Sequence, residues 1–307
     1  MVQHLYEHSK NTNTKMIYGF GTRPATNPVV LFFCEGAKGK YFPNARNVNL
    51  YEMSQWPNFD WQKWQEEKIP IVILGILRGT ERLLWAAKYH KINFYYIDHS
   101  YFFRADKHKK NKTTNDWSYR ACLNEENLNF LVHDKLNLSD INRIQKNKNL
   151  LLPRSIIKTT GNKILICPPS YAIARYYKFK NDDVQLWLND TIKTIKEQTD
   201  KEIVIRYKDS TTPFMKDFEN AYCIITYQST LAIEAILRGI PSFCNEQSCV
   251  SPVSTTTLNL NKIKFPTMIE IENWVTSLLA NQFTMEEFKN GVAFEAINRL
   301  QNEKYII

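Results

Sequence analysis

A chain of 307 residues with 43% hydrophobic and 13% aromatic residues is long enough for one large or two medium packed domains, which excludes an intrinsically disordered chain. Lys and Arg number 40 against 31 Asp and Glu, a formal net charge of +9 that favours polyanionic partners such as nucleic acid, an anionic membrane surface or nucleotide phosphates. No run reaches the roughly 20 apolar residues that span a bilayer, and Met1 to His8 carry no basic region followed by an apolar core, so a soluble, cytoplasmic protein is expected.

In chain order, residues 1 to 27 are polar with loop signals at Asn11 to Asn13 and Gly19 to Gly21, and are expected to be an irregular lead-in. Val29 to Phe33 reads as a first buried strand, followed by a loop from Cys34 to Lys40. Trp56, Phe59, Trp61 and Trp64 form an aromatic cluster, read either as a helix packing tryptophans onto a sheet or as a stacking platform for bases or sugar rings. Ile71 to Leu77, a helix from Glu81 to His90 capped by Thr80, and Ile92 to Ile97 then make a Rossmann-like β-α-β run. Asp98 and His99 leave the carboxyl end of its last strand, where α/β folds place active sites. They read as catalytic candidates, or else as a turn cap and a partner for a backbone carbonyl. The charge run after them contains Lys107, Lys109, Lys110 and Lys112, with Trp117 and Arg120 just beyond. Such a run is a solvated loop or an arm that tracks phosphates, with the aromatic available for stacking.

Leu138 to Arg154 looks like a polar connection, after which the pattern starts afresh. Ile164 to Cys167 is a strand, Pro168-Pro169-Ser170 its turn, Val184 to Thr199 a helix and Ile203 to Ile205 a second strand. Arg206 and Lys208 at its end suit a diphosphate or are plain surface charge. The six cysteines, Cys34, Cys122, Cys167, Cys223, Cys244 and Cys249, include no Cys-x-x-Cys pair and read as buried free thiols. The tail reads as two helices, Ile269 to Ala280 and Thr284 to Leu300, the second opened by Thr284 with Glu287 three residues later.

Residues 223 to 246 organise the rest, as strand, tight turn, helix, loop and strand. Ser229 and Thr230 are cap-type residues before a helical spacing of Leu231, Ile233, Ala235, Ile236 and Leu237, and Gly239 with Pro241 ends that helix. A helix start at a strand's carboxyl end presents free N–H groups to a phosphate, and Glu234 lies one turn in, within reach of ribose hydroxyls. The stretch resembles the nucleotide-sugar half of GT-B glycosyltransferases, above all the capsule-polysaccharide type and its Ser-Thr, Glu-Ala and Gly-x-Pro pattern, here Ser229-Thr230, Glu234-Ala235 and Gly239-Ile240-Pro241. Arg206-Tyr207-Lys208 departs from the Lys-Pro-His-Pro-like turn of that type.

The resemblance implies an α/β chain of two Rossmann-like domains facing a central cleft. The acceptor side is expected in residues 1–155 and the nucleotide-sugar side in 156–283, with 284–307 crossing back to the first domain. It also implies that Ser170 faces the diphosphate and that the loop carrying Glu35 lines the acceptor side, which makes Glu35 a second candidate base beside Asp98. The sequence has no convincing Asp-x-Asp motif, so neither metal nor cofactor is expected. The nucleotide sugar is a substrate, and its diphosphate would be neutralised by Arg206, Lys208 and the Ser229-Thr230 helix start. The charge and the 107–120 stretch point to a hydroxymethylated pyrimidine in duplex DNA as acceptor, as in phage DNA modification, with a surface polysaccharide as the alternative. A nucleotide-sugar epimerase or a non-catalytic nucleic-acid-binding protein are the rivals from other classes.

Overall fold

The computed structural model describes residues 17–21, 27–38, 49–52, 60–77, 79–102, 118–148, 157–211 and 213–302. Its strands are β1 (Tyr18–Gly21), β2 (Asn49–Glu52), β3 (Ile71–Leu74), β4 (Phe94–His99), β5 (Ser118–Leu123), β6 (Lys163–Cys167), β7 (Glu202–Ile205), β8 (Ala221–Thr226), β9 (Ser242–Phe243) and β10 (Gln282–Thr284). The chain divides into two compact α/β units, one of residues 1–126 with 281–307 and the other of residues 127–280. The first division falls at 126/127, well before the 155/156 expected from the sequence.

The first unit holds a six-stranded sheet in the order β10-β5-β4-β3-β1-β2. Strands β2, β1, β3 and β4 run parallel, whereas β5 is antiparallel to β4 and β10 antiparallel to β5. Two sequence expectations are corrected here. Tyr18–Gly21 is not part of an irregular lead-in but a strand between β2 and β3, buried along its length. Its two glycines carry no strand signal of their own. Trp64, from the Trp61–Glu66 helix, stacks on Tyr18 at 4.5 Å and is buried, which gives the tryptophan cluster its packing role. Trp56 and Phe59 lie outside the described residues.

The second correction concerns Val29 to Phe33, which belong to a helix, Asn27–Lys38. Val29, Val30, Phe33, Cys34 and Ala37 are all buried, a helical spacing. The run looks continuous because the helix is covered on two sides. Phe33 meets Tyr95 of the sheet at 5.1 Å and, from the chain's return, Phe288 at 5.4 Å and Phe294 at 5.8 Å. An uninterrupted apolar run does not separate a buried strand from a helix buried on both sides.

The tail is also more divided than its spacing suggests. After the Met268–Ala280 helix come β10, a short helix Met285–Lys289 and a last helix Val292–Gln301. Thr284 and Glu287 do form a capping box, with Thr284 Oγ1 accepting from the Glu287 N–H and Glu287 accepting from the Thr284 N–H. Buried amides seal this tail against β5 and the turn after β4. Gln301 accepts from the Leu123 N–H at 2.8 Å, Gln282 from the Phe102 N–H at 2.8 Å, and Asn281 donates to Cys122 Sγ at 3.2 Å.

In the second unit all four strands are parallel, in the order β7-β6-β8-β9. The Val184–Lys196 helix covers one face through Leu188 and Ile195, which pack on Ile164, Ile166, Cys223 and Ile225. Leu165, Ile224, Ala235 and Ile240 pack on the other. The expected polar connection contains a helix, Leu138–Lys148. All six cysteines are free and buried. Burial pushes the thiols of Cys122, Cys167, Cys223 and Cys244 up to about 12, so these are packing groups rather than nucleophiles.

Candidate functional site

The order β7-β6-β8-β9 means that the chain leaves β6 for one side of the sheet and returns to the other. In parallel α/β sheets ligands bind at the carboxyl ends of the two strands flanking such a reversal. Here those ends are Cys167 to Ser170 after β6 and Thr226 to Thr230 after β8. The two stretches singled out in the sequence for a nucleotide sugar therefore come together through strand order.

An aromatic wall that sequence reasoning missed stands at the same end. Tyr227 packs edge-on against Tyr177 at 5.3 Å and Phe179 at 4.8 Å, just beyond the Tyr171–Tyr176 helix. Gln228 Nε2 donates to the Tyr177 hydroxyl at 2.8 Å, and its Oε1 accepts from Asn127 Nδ2 at 3.4 Å. Burial pushes the Tyr227 hydroxyl above its ordinary range, so it stays protonated as a donor. The signal available in the sequence was the aromatic content of 171–180 next to the Pro168-Pro169-Ser170 turn.

The individual donor-side residues are placed as follows. The Ser170 side chain makes no cap hydrogen bond to the helix it precedes. Thr230 is the residue before the Leu231–Leu237 helix but does not cap it with its side chain, while Ser229 Oγ accepts from the Leu231 N–H at 3.2 Å. That helix has only seven residues, so its dipole is a minor contributor. Gly239, at φ +78°, ends it, and the Ile240 N–H turns back to the Ala235 carbonyl at 2.9 Å. Arg206 follows β7 with its N–H on the Ile166 carbonyl at 2.8 Å, beside the end of β6, but its guanidinium is ion-paired with Asp217. Lys208 is exposed on the turn that follows.

Glu234 is paired with Arg238, one turn further along its helix. The two side chains are 41% and 36% exposed, a solvent-screened i,i+4 pair. Glu234→Ala is therefore expected to change unfolding free energy by less than about 0.5 kcal/mol, measured by urea denaturation. A larger loss would show that the carboxylate holds more than Arg238.

In the first unit, Asp98 and His99 are the last two residues of β4, at its carboxyl end as expected, with Asp98 in register with Arg120 of β5. Asp98 Oδ2 accepts from Arg120 Nη2 at 3.0 Å and from the Tyr96 hydroxyl at 2.9 Å, and Oδ1 from the His99 N–H at 2.7 Å. Arg120 also donates Nη1 to the His99 carbonyl at 2.8 Å and lies 4.7 Å from the Tyr101 ring centroid. Burial pushes the Asp98 carboxyl up, but Arg120 and these donors outweigh it and hold the group below its usual range. A carboxylate so depressed is a weak base. The arrangement fits Asp98 to hold Arg120 rather than to take an acceptor's proton, and it turns Arg120 inward, away from the phosphate contact expected of it. The exposed His99 ring stacks on Tyr119 at 5.9 Å. Glu35 is exposed within the Asn27–Lys38 helix, so the loop that made it a second candidate base is absent at that position. Thr80 does not cap its helix: Gly79, at φ 95°, precedes it, and Thr80 Oγ1 donates back to the Leu77 carbonyl at 2.8 Å.

Lys107, Lys109, Lys110, Lys112 and Trp117 lie outside the described residues. Among the described residues, no cluster of His, Cys, Asp or Glu is placed to hold a metal ion, and no helix is long and apolar enough to cross a membrane. A depression of about 370 Å³ lined by Lys158, Met215, Asn220, Arg238 and Gly239 lies at the amino end of β8, opposite the carboxyl end that carries the candidate site.

No protein-family model matches the sequence, and no curated protein matches it. Among solved structures the chain is similar to a Thermosulfurimonas dismutans KpsC β-Kdo 2,7 transferase, at 14% identity over 92% of this chain and 99% of that one, with a TM-score of 0.47. It is similar to the β-Kdo 2,4 transferase of the same KpsC at 9% identity, over 87% and 91% of the two chains, with a TM-score of 0.45. A Methanocaldococcus jannaschii UDP-GlcNAc 2-epimerase, solved with UDP-GlcNAc and UDP, follows at 14% identity over 94% and 99%, with a TM-score of 0.24.

Proposed function

We propose that the chain is a glycosyltransferase that binds a nucleotide sugar at the strand-order reversal of its second unit and transfers the sugar to a polysaccharide hydroxyl. The observation that carries this reading is the convergence at one sheet edge of the Ser170 turn, the Tyr227 to Thr230 turn and the Tyr177, Phe179 and Tyr227 rings. Hydroxyls and backbone N–H groups at the two turns suit phosphate oxygens, and the aromatic wall suits a base or a sugar ring. Lys208, after β7, is one exposed cation on this side, whereas Arg206 already shares its charge with Asp217. The polysaccharide acceptor follows the capsule-type pattern at Ser229-Thr230, Glu234-Ala235 and Gly239-Ile240-Pro241. Arg120 is the one described member of the set expected to grip DNA, and it is engaged inside its own unit.

The test is a titration of the purified chain with UDP-, GDP-, dTDP-, ADP- and CMP-linked sugars, read by thermal shift and calorimetry. Product analysis on oligosaccharide acceptors follows, with and without a metal chelator. The expected result is saturable binding of one donor and sugar transfer that survives the chelator. A chain that binds none of the donors overturns the reading, while transfer to hydroxymethylated duplex DNA instead of oligosaccharide overturns the acceptor.

A further inference from the structure

We propose that the Thr226 hydroxyl is a ligand contact of this site, donating to a phosphate oxygen of the bound nucleotide sugar; the inference rests on the donor reading above. Thr226 is the last residue of β8 and is 3% exposed. Its Oγ1 is buried and has no hydrogen-bond partner in the protein. A buried hydroxyl without a partner is an unfavourable arrangement, and valine, of the same shape, would close a packed strand end without it.

The place of this hydroxyl gives it a use. Side chains alternate along a strand, so Thr226 faces the same side as Ile224, which packs with Ala235 and Leu231 of the next helix. Its partner in register on β6 is Cys167, the residue before the Pro168-Pro169-Ser170 turn. Thr226 therefore stands at the carboxyl edge of the sheet, on one of the two adjacent strands, β6 and β8, at which the order reverses. Every residue of the following turn, Tyr227 to Thr230, is half-buried, so a ligand seated on that turn lies one residue from the hydroxyl. Of the neighbouring polar groups, Gln228 is shared between Tyr177 and Asn127, while Ser229 Oγ accepts the Leu231 N–H and keeps its own proton for the same ligand. Thr226 retains its proton to give, and a phosphate oxygen, which only accepts, forms a charge-assisted bond with it.

The test uses the full chain and the donor selected in the panel, with inorganic diphosphate as a second probe. Thr226→Val is expected to fold with a thermal midpoint equal to or above the parent's, while its affinity for the donor falls about ten- to hundredfold. Thr226→Ser, which keeps the hydroxyl, is expected to bind within about threefold of the parent. Equal affinity in the folded valine variant overturns the proposal and leaves the hydroxyl to a bound water. Should the valine variant fail to fold, Thr226→Ala compared with Thr226→Ser gives the same reading. A parent that binds no donor overturns the donor reading and this inference with it, so the parent's own titration separates the two failures.

Discussion

Replacing Gly36 by alanine is expected to cost about 3 kcal/mol or more of stability, the upper range for overpacking, although alanine is the better helix former. Inside an exposed helix the same change would gain roughly 0.5–1 kcal/mol, so the sign of the effect decides between local propensity and packing. A Cβ built at Gly36 would lie 2.0 Å from the Phe288 carbonyl oxygen, 2.7 Å from Gly291 N and 2.9 Å from Gly291 Cα. These are backbone atoms, which have no rotamer to swing away. Gly291 returns the contact, since a Cβ there would meet the Gly36 carbonyl oxygen at 2.7 Å, and its φ of +85° disfavours other residues as well. The Asn27–Lys38 helix thus meets the chain's return backbone to backbone. Gly75→Ala is the control: its φ is +68°, but no atom lies within 4 Å of the added Cβ, so only the backbone conformation is penalised, by about 1 kcal/mol. Urea denaturation of both variants checks the prediction, and a Gly36→Ala protein as stable as the parent would remove the close contact.

Asp98→Asn is expected to lower stability at neutral pH by about 2–3 kcal/mol, somewhat less than for a fully buried pair because the Asp98 side chain keeps 29% of its exposure. Arg120 is only 10% exposed and would be left charged opposite a neutral amide. The pH dependence follows from the depressed folded-state carboxyl. Its stabilisation is complete above the unfolded carboxyl value of about 3.9 and is lost as pH falls through that value towards the lower folded one. The parent should therefore lose stability in acid across this window more steeply than Asp98→Asn, which has no proton to take up there. The double variant Asp98→Asn with Arg120→Met should be less destabilised than the sum of the two single changes, since it removes the stranded charge. Parallel acid profiles for parent and Asp98→Asn would place the ion pair outside the folding equilibrium and reopen a role for Asp98 in proton transfer.

The parallel strands β3, β4, β6, β7 and β8 were legible because buried parallel strands are short apolar runs bounded by turn residues. The capping box at Thr284 and Glu287 and the stop at Gly239 were legible for a similar reason, as each depends on residues within one or two turns of each other. Tertiary structure alone decided the rest. Tyr18–Gly21 becomes a central strand because β2 and β3 pair with it on both sides, and Val29 to Phe33 become helical because sheet and returning tail cover them from opposite faces. The same holds for charge. Arg120 is 22 residues from Asp98, and Arg206 is 11 from Asp217, so which cations remain for a ligand depended on register and turn geometry. Short-range pattern determines which segments are able to form strands and helices. Which of them pair, and which polar groups such as the Thr226 hydroxyl are left without a partner, depends on contacts between residues far apart in the chain.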